Sequence, residues 1–514
     1  MESRFRKGFN RDSGDWISTG RRRGIGLFSL ALLAVLFVLP TNLSAQNPRL
    51  ELGRRLKRFE ISWETAAPSL RVSAVPFLQK AVQRFFSLSL PEAGRELDRA
   101  WLELNTDKKS DSLANALIGA QLLVSPVCAD TETDSLEIEL TSFYATGSEP
   151  PPQTGVDLKL TAKNGELRAE TQVSIDELAR GTSWKPDGLP EGDYHLTLTF
   201  AQGDSTFTLP PVTISRIQDL RRRTKELEKS AATLKIDARA PDASKLDQTL
   251  AATLRDEARF FGNMLDGLSQ EADFPCSERL KNCELLVSSR GNPQDISGKQ
   301  FPGKEFWISL ADGNRSVPTR IRLPSNLETP VPVLFVFHGA GGSENMFFET
   351  YGAGRVISEA AERGWIVVSP RQGLFGLGLD ISQMLDALEA IAPIDRKRIM
   401  LLGHSMGAAQ VVQQVRAHPS LPLAAIALGG GGRLSLTDEP QNRRVSWYVG
   451  AGSEDFGLAS AQRLNRSLAE SGSNVRFKIY EDIEHLVVVQ AAIDDAFAFL
   501  DELLMKQSNR AKQP

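Results

Sequence analysis

The stretch GHSMG (403–407) sets one serine between two glycines, where the apolar run RIMLL gives way to the Ala/Val-rich segment MGAAQVVQQV. A G-x-S-x-G sequence at a strand-to-helix junction holds its serine on a strained turn that raises the hydroxyl above the sheet. Gly403 and Gly407 are small because a side chain at either place would collide with backbone across so tight a corner. Ser405 is thus the candidate nucleophile, but a serine hydroxyl needs a base to take its proton and an acid to orient that base. The chain has five histidines, which narrows the search for the base. His485 follows the strand-like run VRFKIYE and precedes a C-terminal helical pattern. Asp455 lies just beyond the run WYVGAG, and this placement favours it as the acid over Glu454 and Asp482. The chain order Ser405, Asp455, His485 is that of nucleophile, orienting acid and general base in one class of acyl-transfer enzyme.

Acyl transfer also needs donors for the oxyanion that forms. The segment FHGAGGSENMFF follows the run VLFVF, and its glycines allow backbone N–H groups close to a ligand. Ala340 supplies one predicted donor and Met406, beside the nucleophile, the other; the helix starting at Met406 adds the positive end of its dipole. The remaining histidines read as structural. His338 braces the loop, His404 packs beside the serine turn, His418 is a solvated cation at a helix end, and His195 points outward from a strand.

These residues need a sheet to hold them. From about residue 301, the runs VPVLFVFHG, GWIVVSP, RIMLLGHS, LAAIALGG and VSWYVGAG alternate with segments of helical length. That rhythm predicts a mostly parallel, doubly wound sheet covered on both faces, with chemistry at the carboxyl ends of its strands, over residues 301–507. With the motifs in place, HGAGGSENMFF, GHSMGA and YEDIEH make this region similar to the α/β-hydrolases, and it resembles their polyhydroxybutyrate depolymerase, feruloyl esterase and carboxylesterase branch. Ala408 departs from that branch, which often has glycine there, and the resemblance covers only the last two-fifths of the chain. It implies an ester substrate and an acyl-enzyme mechanism without metal or organic cofactor. A peptidase of prolyl-oligopeptidase type would resemble the same region, although the front half lacks propeller-like repeats. A binding or scaffold protein of the cell envelope with a degenerate hydrolase domain is the non-enzymatic alternative. Between the strand ending at Leu428 and the next near Val445, the connection GGGGRLSLTDEPQNRR has no room for a helical cap. An open mouth suited to bulky or polymeric esters is therefore expected, with glycines 429–432 either lining the pocket or forming a plain loop.

The 514 residues suffice for several domains, and 60 basic against 64 acidic side chains give no electrostatic case for nucleic acid as a partner. Residues 1–45 combine an Arg-rich leader, an apolar run (25–39) and small residues ending at Ala45, which reads as a cleaved export signal. A retained membrane anchor is the alternative, although the run is shorter than the roughly 20 residues a spanning helix needs. The protein is accordingly expected to be exported: periplasmic, in the cell envelope or secreted. Residues 46–130 read as helical. Residues 134–216 alternate with period two and predict a small β-sandwich, with Phe143, Tyr144 and Trp184 as weak candidates for a carbohydrate-binding face. Residues 217–287 read as an antiparallel helical hairpin and 288–300 as a linker. Cys276 and Cys283 read equally as a small disulfide loop or, with Cys128, as unlinked thiols.

Overall fold

A computed structural model describes residues 47–132, 135–150, 154–233, 244–268, 270–288, 305–312, 315–372, 379–434 and 445–511. The leader at 1–45 and the linker at 288–300, apart from Ser288, lie outside the described residues. Among the described residues, no helix is long and apolar enough to cross a membrane.

The C-terminal region is built on an eight-stranded sheet in the order β10-β11-β13-β12-β14-β15-β16-β17, comprising β10 (Glu305–Asp312), β11 (Arg315–Arg322), β12 (Val331–Phe337), β13 (Ile366–Pro370), β14 (Ile394–His404), β15 (Ala424–Leu428), β16 (Ser446–Gly452) and β17 (Val475–Tyr480). Only β11 runs against the rest. The five runs read as strands from the sequence are β12 to β16. Each is almost wholly buried, in the longer β14 from Ile399 onward, because helices cover both faces. One face packs Met384, Val411 and Leu464 against Phe335 and Val449, and the other packs Val356, Ile493 and Phe497 against Leu334 and Tyr448. From β12 the chain crosses to β13 on one side and returns to β14 on the other, and the register pairs Phe337 with Gly403. The loops after β12 and β14 therefore leave the sheet side by side at the point where strand order reverses, the usual place for a ligand in such sheets.

Ahead of this region, β1 (Ala120–Ser125), β3 (Leu136–Ser142) and β6 (Thr182–Trp184) form a small antiparallel sheet. It faces a larger one ordered β2-β9-β7-β4-β5, with β8 (Ser205–Thr208) paired to β7: β2 (Cys128–Asp130), β9 (Val212–Ile217), β7 (Gly192–Gln202), β4 (Gly155–Ala162) and β5 (Leu167–Ser174). The two share a core in which Leu136 and Ile138 meet Leu158, Leu196 and Leu198. The alternation in YHLTLTF is that of β7, whose Tyr194, Leu196, Leu198 and Phe200 are buried. Strands β1 and β2 correct the expectation that residues 46–130 are helical throughout. Phe143 and Tyr144 are buried against the N-terminal helices, and Trp184 packs on the core of the two sheets, so these aromatics do not form an exposed binding face.

The helical hairpin expected at 217–287 contains three helices: α4 (Leu220–Thr233), α5 (Lys245–Leu265) and α6 (Cys276–Ser288). Leu220, Leu227 and Ala231 pack with Ala251, Leu254 and Phe261 as their spacing predicts, but Leu246 and Leu250 join the core of the C-terminal sheet. The short helix α6 was missed because its apolar face, Leu280, Cys283 and Leu286, is narrow. Its two cysteines are buried thiols not joined to each other, and Cys128 is buried as well.

Residues 47–104 fold into α1 (Pro48–Thr65), α2 (Pro68–Phe86) and α3 (Leu90–Leu104), each with a proline in its first turn, where the missing N–H costs nothing. Leu52, Leu56, Leu78, Ala81 and Leu97 interlock in their core, which continues onto Val487, Ile483 and Leu486 of the C-terminal region. Polar contacts fix the same docking. Lys57 Nζ lies 2.6 Å from Glu349, the Ala353 N–H donates to Glu60 at 3.1 Å, and Gln79 donates to Glu454 at 2.9 Å. Deeper in, Asp98 accepts from Arg55, Arg58 and the Tyr144 hydroxyl.

Candidate active site

Ser405 stands between β14 and the helix Met406–Ala417 with φ 58° and ψ −116°, a conformation that L residues rarely adopt. Its N–H donates to the Leu428 carbonyl at 2.9 Å. A Cβ added to Gly403 would stand 2.1 Å from the Gly407 carbonyl oxygen, and one added to Gly407 would stand 1.8 Å from that of Phe337. The two glycines of the motif are thus required by backbone on both sides of the turn.

His485 follows β17 in a loop that packs beneath the N-terminal helices. Its Nδ1 lies 2.7 Å from Oδ1 of Asp455, and both side chains are almost wholly buried. Burial pushes the Asp455 carboxyl up, but the hydrogen bond and charge of His485, with the Gly457 N–H, outweigh this and hold it below the usual aspartate range. The competing acids are elsewhere: Glu454 accepts from Gln79, and Asp482 lies on an exposed turn with its N–H on Ser453. Gly429 packs on the Asp455–His485 pair and Gly430 on the Ser405 carbonyl, so these two glycines line the site.

Ser405, His485 and Ala340 line a single cavity of ≈140 Å³ whose walls are almost entirely apolar. The Ser405 hydroxyl makes no hydrogen bond among the described residues. Met406 is the first residue of its helix, and its N–H has no intrahelical acceptor. His338 lies behind Ala340. Its Nδ1 is 2.8 Å from the Gly339 carbonyl and its Nε2 accepts the Gln372 N–H at 3.0 Å, an arrangement that suits the neutral ring. Burial lowers its pKa to about 4. His404 Nε2 lies 2.9 Å from the His485 carbonyl, and burial together with the charge of His485 lowers its pKa to about 3. His195 is half-buried on β7. His418 is not simply solvated, because Asp380 lies 2.9 Å away.

The N-terminal helices also reach the site. Helices α1 to α3 wall the cavity on one side with Leu52, Leu56, Val82, Phe85 and Leu97, and the Phe85 ring sits directly on Gly341. No sequence signal pointed to this wall, since it joins residues more than 250 positions apart. Phe456 was also missed. Its ring lies 4.0 Å from that of His485 and meets Phe86 edge-on. Glu484, beside the histidine, is almost completely buried, and burial raises its carboxyl to about 8. Among the described residues, no group of three or more His, Cys, Asp or Glu side chains is placed to hold a metal ion.

Residues 333–505 match the model of the alpha/beta hydrolase family, and with the sheet order above they form an α/β-hydrolase domain. No curated protein matches the chain. Solved structures similar to it include an S-formylglutathione hydrolase (FrmB) from Staphylococcus aureus, at 16% identity and TM-score 0.32 over 39% of this chain and 97% of that one. A ferulic acid esterase matches at 18% identity and TM-score 0.35 over 40% and 99%. A thermostable esterase matches at 21% identity and TM-score 0.33 over 39% and 62%.

Proposed function

We propose that the protein is an exported serine hydrolase that cleaves carboxylic esters through an acyl-enzyme. The observation that carries this reading is the buried Asp455–His485 hydrogen bond of 2.7 Å, made by a histidine that shares its cavity with a serine held on a strained turn. Ser405 Oγ attacks the ester carbonyl carbon while His485 Nε2 takes its proton. Asp455, on Nδ1, fixes the tautomer and stabilises the imidazolium. The N–H groups of Ala340 and Met406 receive the oxyanion. Collapse of the tetrahedral intermediate expels the alcohol, which takes the proton from His485. A water activated by the same histidine then releases the acid. The leader at 1–45 supports export.

The test is reaction with a fluorophosphonate probe, followed by turnover of p-nitrophenyl esters set against proline-containing peptides. Labelling that disappears in Ser405→Ala, together with ester but not peptide cleavage, is the expected result. A folded wild type that neither labels nor cleaves esters overturns the proposal.

A further inference from the structure

The cavity beside Ser405 has two sources. The α/β-hydrolase domain contributes the serine, the histidine and the backbone of 339–342, whereas the N-terminal helices, outside the matched region, contribute most of the apolar wall. Apart from Arg49, the side chains that the helices add to that wall are apolar, so the many hydroxyls of a sugar-like occupant would lose their water there and find few partners. Next to it lies a wider groove of ≈470 Å³, where the polar side chains of Gln79, Gln83, Ser453 and Glu454 stand beside Phe456 and the Val82 and Phe86 that it shares with the cavity. Two unlike spaces, one narrow and almost wholly apolar and the other wider and of mixed character, thus adjoin at the Phe86–Phe456 contact.

One residue of the wall is hard to explain by stability. Gly53 lies in the interior of α1, where glycine is the least favourable residue after proline. A Cβ there would meet nothing within 4 Å, so no neighbour demands its absence. What a side chain at 53 would take is space in the cavity that Gly53 lines.

From the Gly53 gap, the apolar wall of α1 to α3 and the opening onto Ser405, we infer that the N-terminal helices form the acyl pocket of this enzyme and select esters of medium-length unbranched or aryl acids. The inference rests on the esterase reading above. A void of roughly 150 Å³ lined by apolar side chains holds a benzene molecule, so ≈140 Å³ takes an acyl group of about six carbons. The acyl side is assigned here because the cavity borders the oxyanion loop, with Phe85 seated on Gly341. The alcohol takes its proton from His485 and leaves toward the wider groove, whose ≈470 Å³ admits a larger leaving group.

The experiment uses the full chain and two ester series: p-nitrophenyl esters of C2 to C12 acids, and acetate esters of C2 to C12 alcohols. In the acyl series kcat/KM rises by about fourfold per methylene, the equivalent of 0.8 kcal/mol, up to about C6 and falls beyond C8. The alcohol series shows no such optimum. Gly53→Leu lowers the C6-to-C2 ratio of kcat/KM at least tenfold while melting no lower than wild type, Gly53→Ala lowers it less, and Phe85→Ala moves the optimum to longer chains. An optimum confined to the alcohol series, or a ratio unmoved by both Gly53 variants in an enzyme that turns these esters over, overturns the inference and leaves the esterase reading standing. Absence of labelling at Ser405 together with absence of turnover of either series removes both.

Discussion

Nδ1 of His485 lies 2.7 Å from Oδ1 of Asp455, in a pocket closed by Gly429 on one side and by Phe456 on another. An uncharged amide in place of Asp455 would favour the wrong tautomer of the ring and leave the imidazolium unsupported. Asp455→Asn is expected to lower kcat by roughly 10³- to 10⁴-fold with the fold retained. Glu454→Gln, on a carboxylate that faces Gln79 instead, is expected to change kcat less than threefold. Steady-state kinetics on one p-nitrophenyl ester compares the two, and equal losses would contradict the assignment of Asp455.

The motif glycines make a second prediction. A methyl group on Gly407 would stand 1.8 Å from the Phe337 carbonyl oxygen, so Gly407→Ala must displace β12 or the serine turn. Its expected cost exceeds about 4 kcal/mol, read as a loss of soluble protein or of the cooperative melt. Ala408→Gly restores the residue common in the related branch and loses only helix propensity and a methyl group, about 1 kcal/mol by denaturant unfolding.

Asp98 offers a test of how the helical cap is held. It is buried and accepts from Arg55, Arg58 and Tyr144 at once, and Arg55 also donates to the carbonyls of Ile118 and Ala120, each at 2.7 Å. Asp98→Ala leaves Arg55 with Glu51, 3.0 Å away, but removes the carboxylate partner of the buried Arg58, and the expected loss is roughly 3 kcal/mol. A change under about 1 kcal/mol in chemical unfolding would show that the network is not needed.

Glu484 links stability to pH. Its carboxyl titrates near 4.3 when unfolded and at about 8 when folded, burial being the main cause. Between these values the folded chain keeps a proton that the unfolded chain has lost, so the Glu484 contribution to stability declines as pH rises across the window. Glu484→Gln keeps an acceptor for the Leu486 N–H, which Glu484 now receives at 2.7 Å, and abolishes the titration. The melting temperature of the variant relative to wild type should therefore increase from pH 5 to pH 8. An equal difference at both pH values would refute this.

How much of the molecule was legible follows from the range of each signal. Strands β12 to β16 are local apolar runs, and G-x-S-x-G is a local motif, so both could be read directly. The serine, histidine and Ala340 named from sequence line one cavity, and Asp455 meets His485. Strands β10 and β11 were passed over because β11, RSVPTRIR, carries a proline and three arginines and does not look like a buried strand. The helical wall of the site was invisible because its contacts join distant positions: Phe85 with Gly341, Gln79 with Glu454, Lys57 with Glu349. Nothing in an amphipathic helix states which surface it will cover. The sequence reading looked for a cap only after β15 and so passed over the helices that supply this wall.

The central claim is that Ser405 becomes transiently acylated. The most direct measurement mixes the protein with excess p-nitrophenyl ester, stops the reaction with acid within its first turnovers, and maps the modified peptide by mass spectrometry. The account predicts one acyl group per chain, on the peptide containing Ser405, with a matching burst of p-nitrophenol and neither signal in Ser405→Ala. Steady turnover by wild type with the acyl group on another residue, or undiminished turnover by Ser405→Ala, would contradict it.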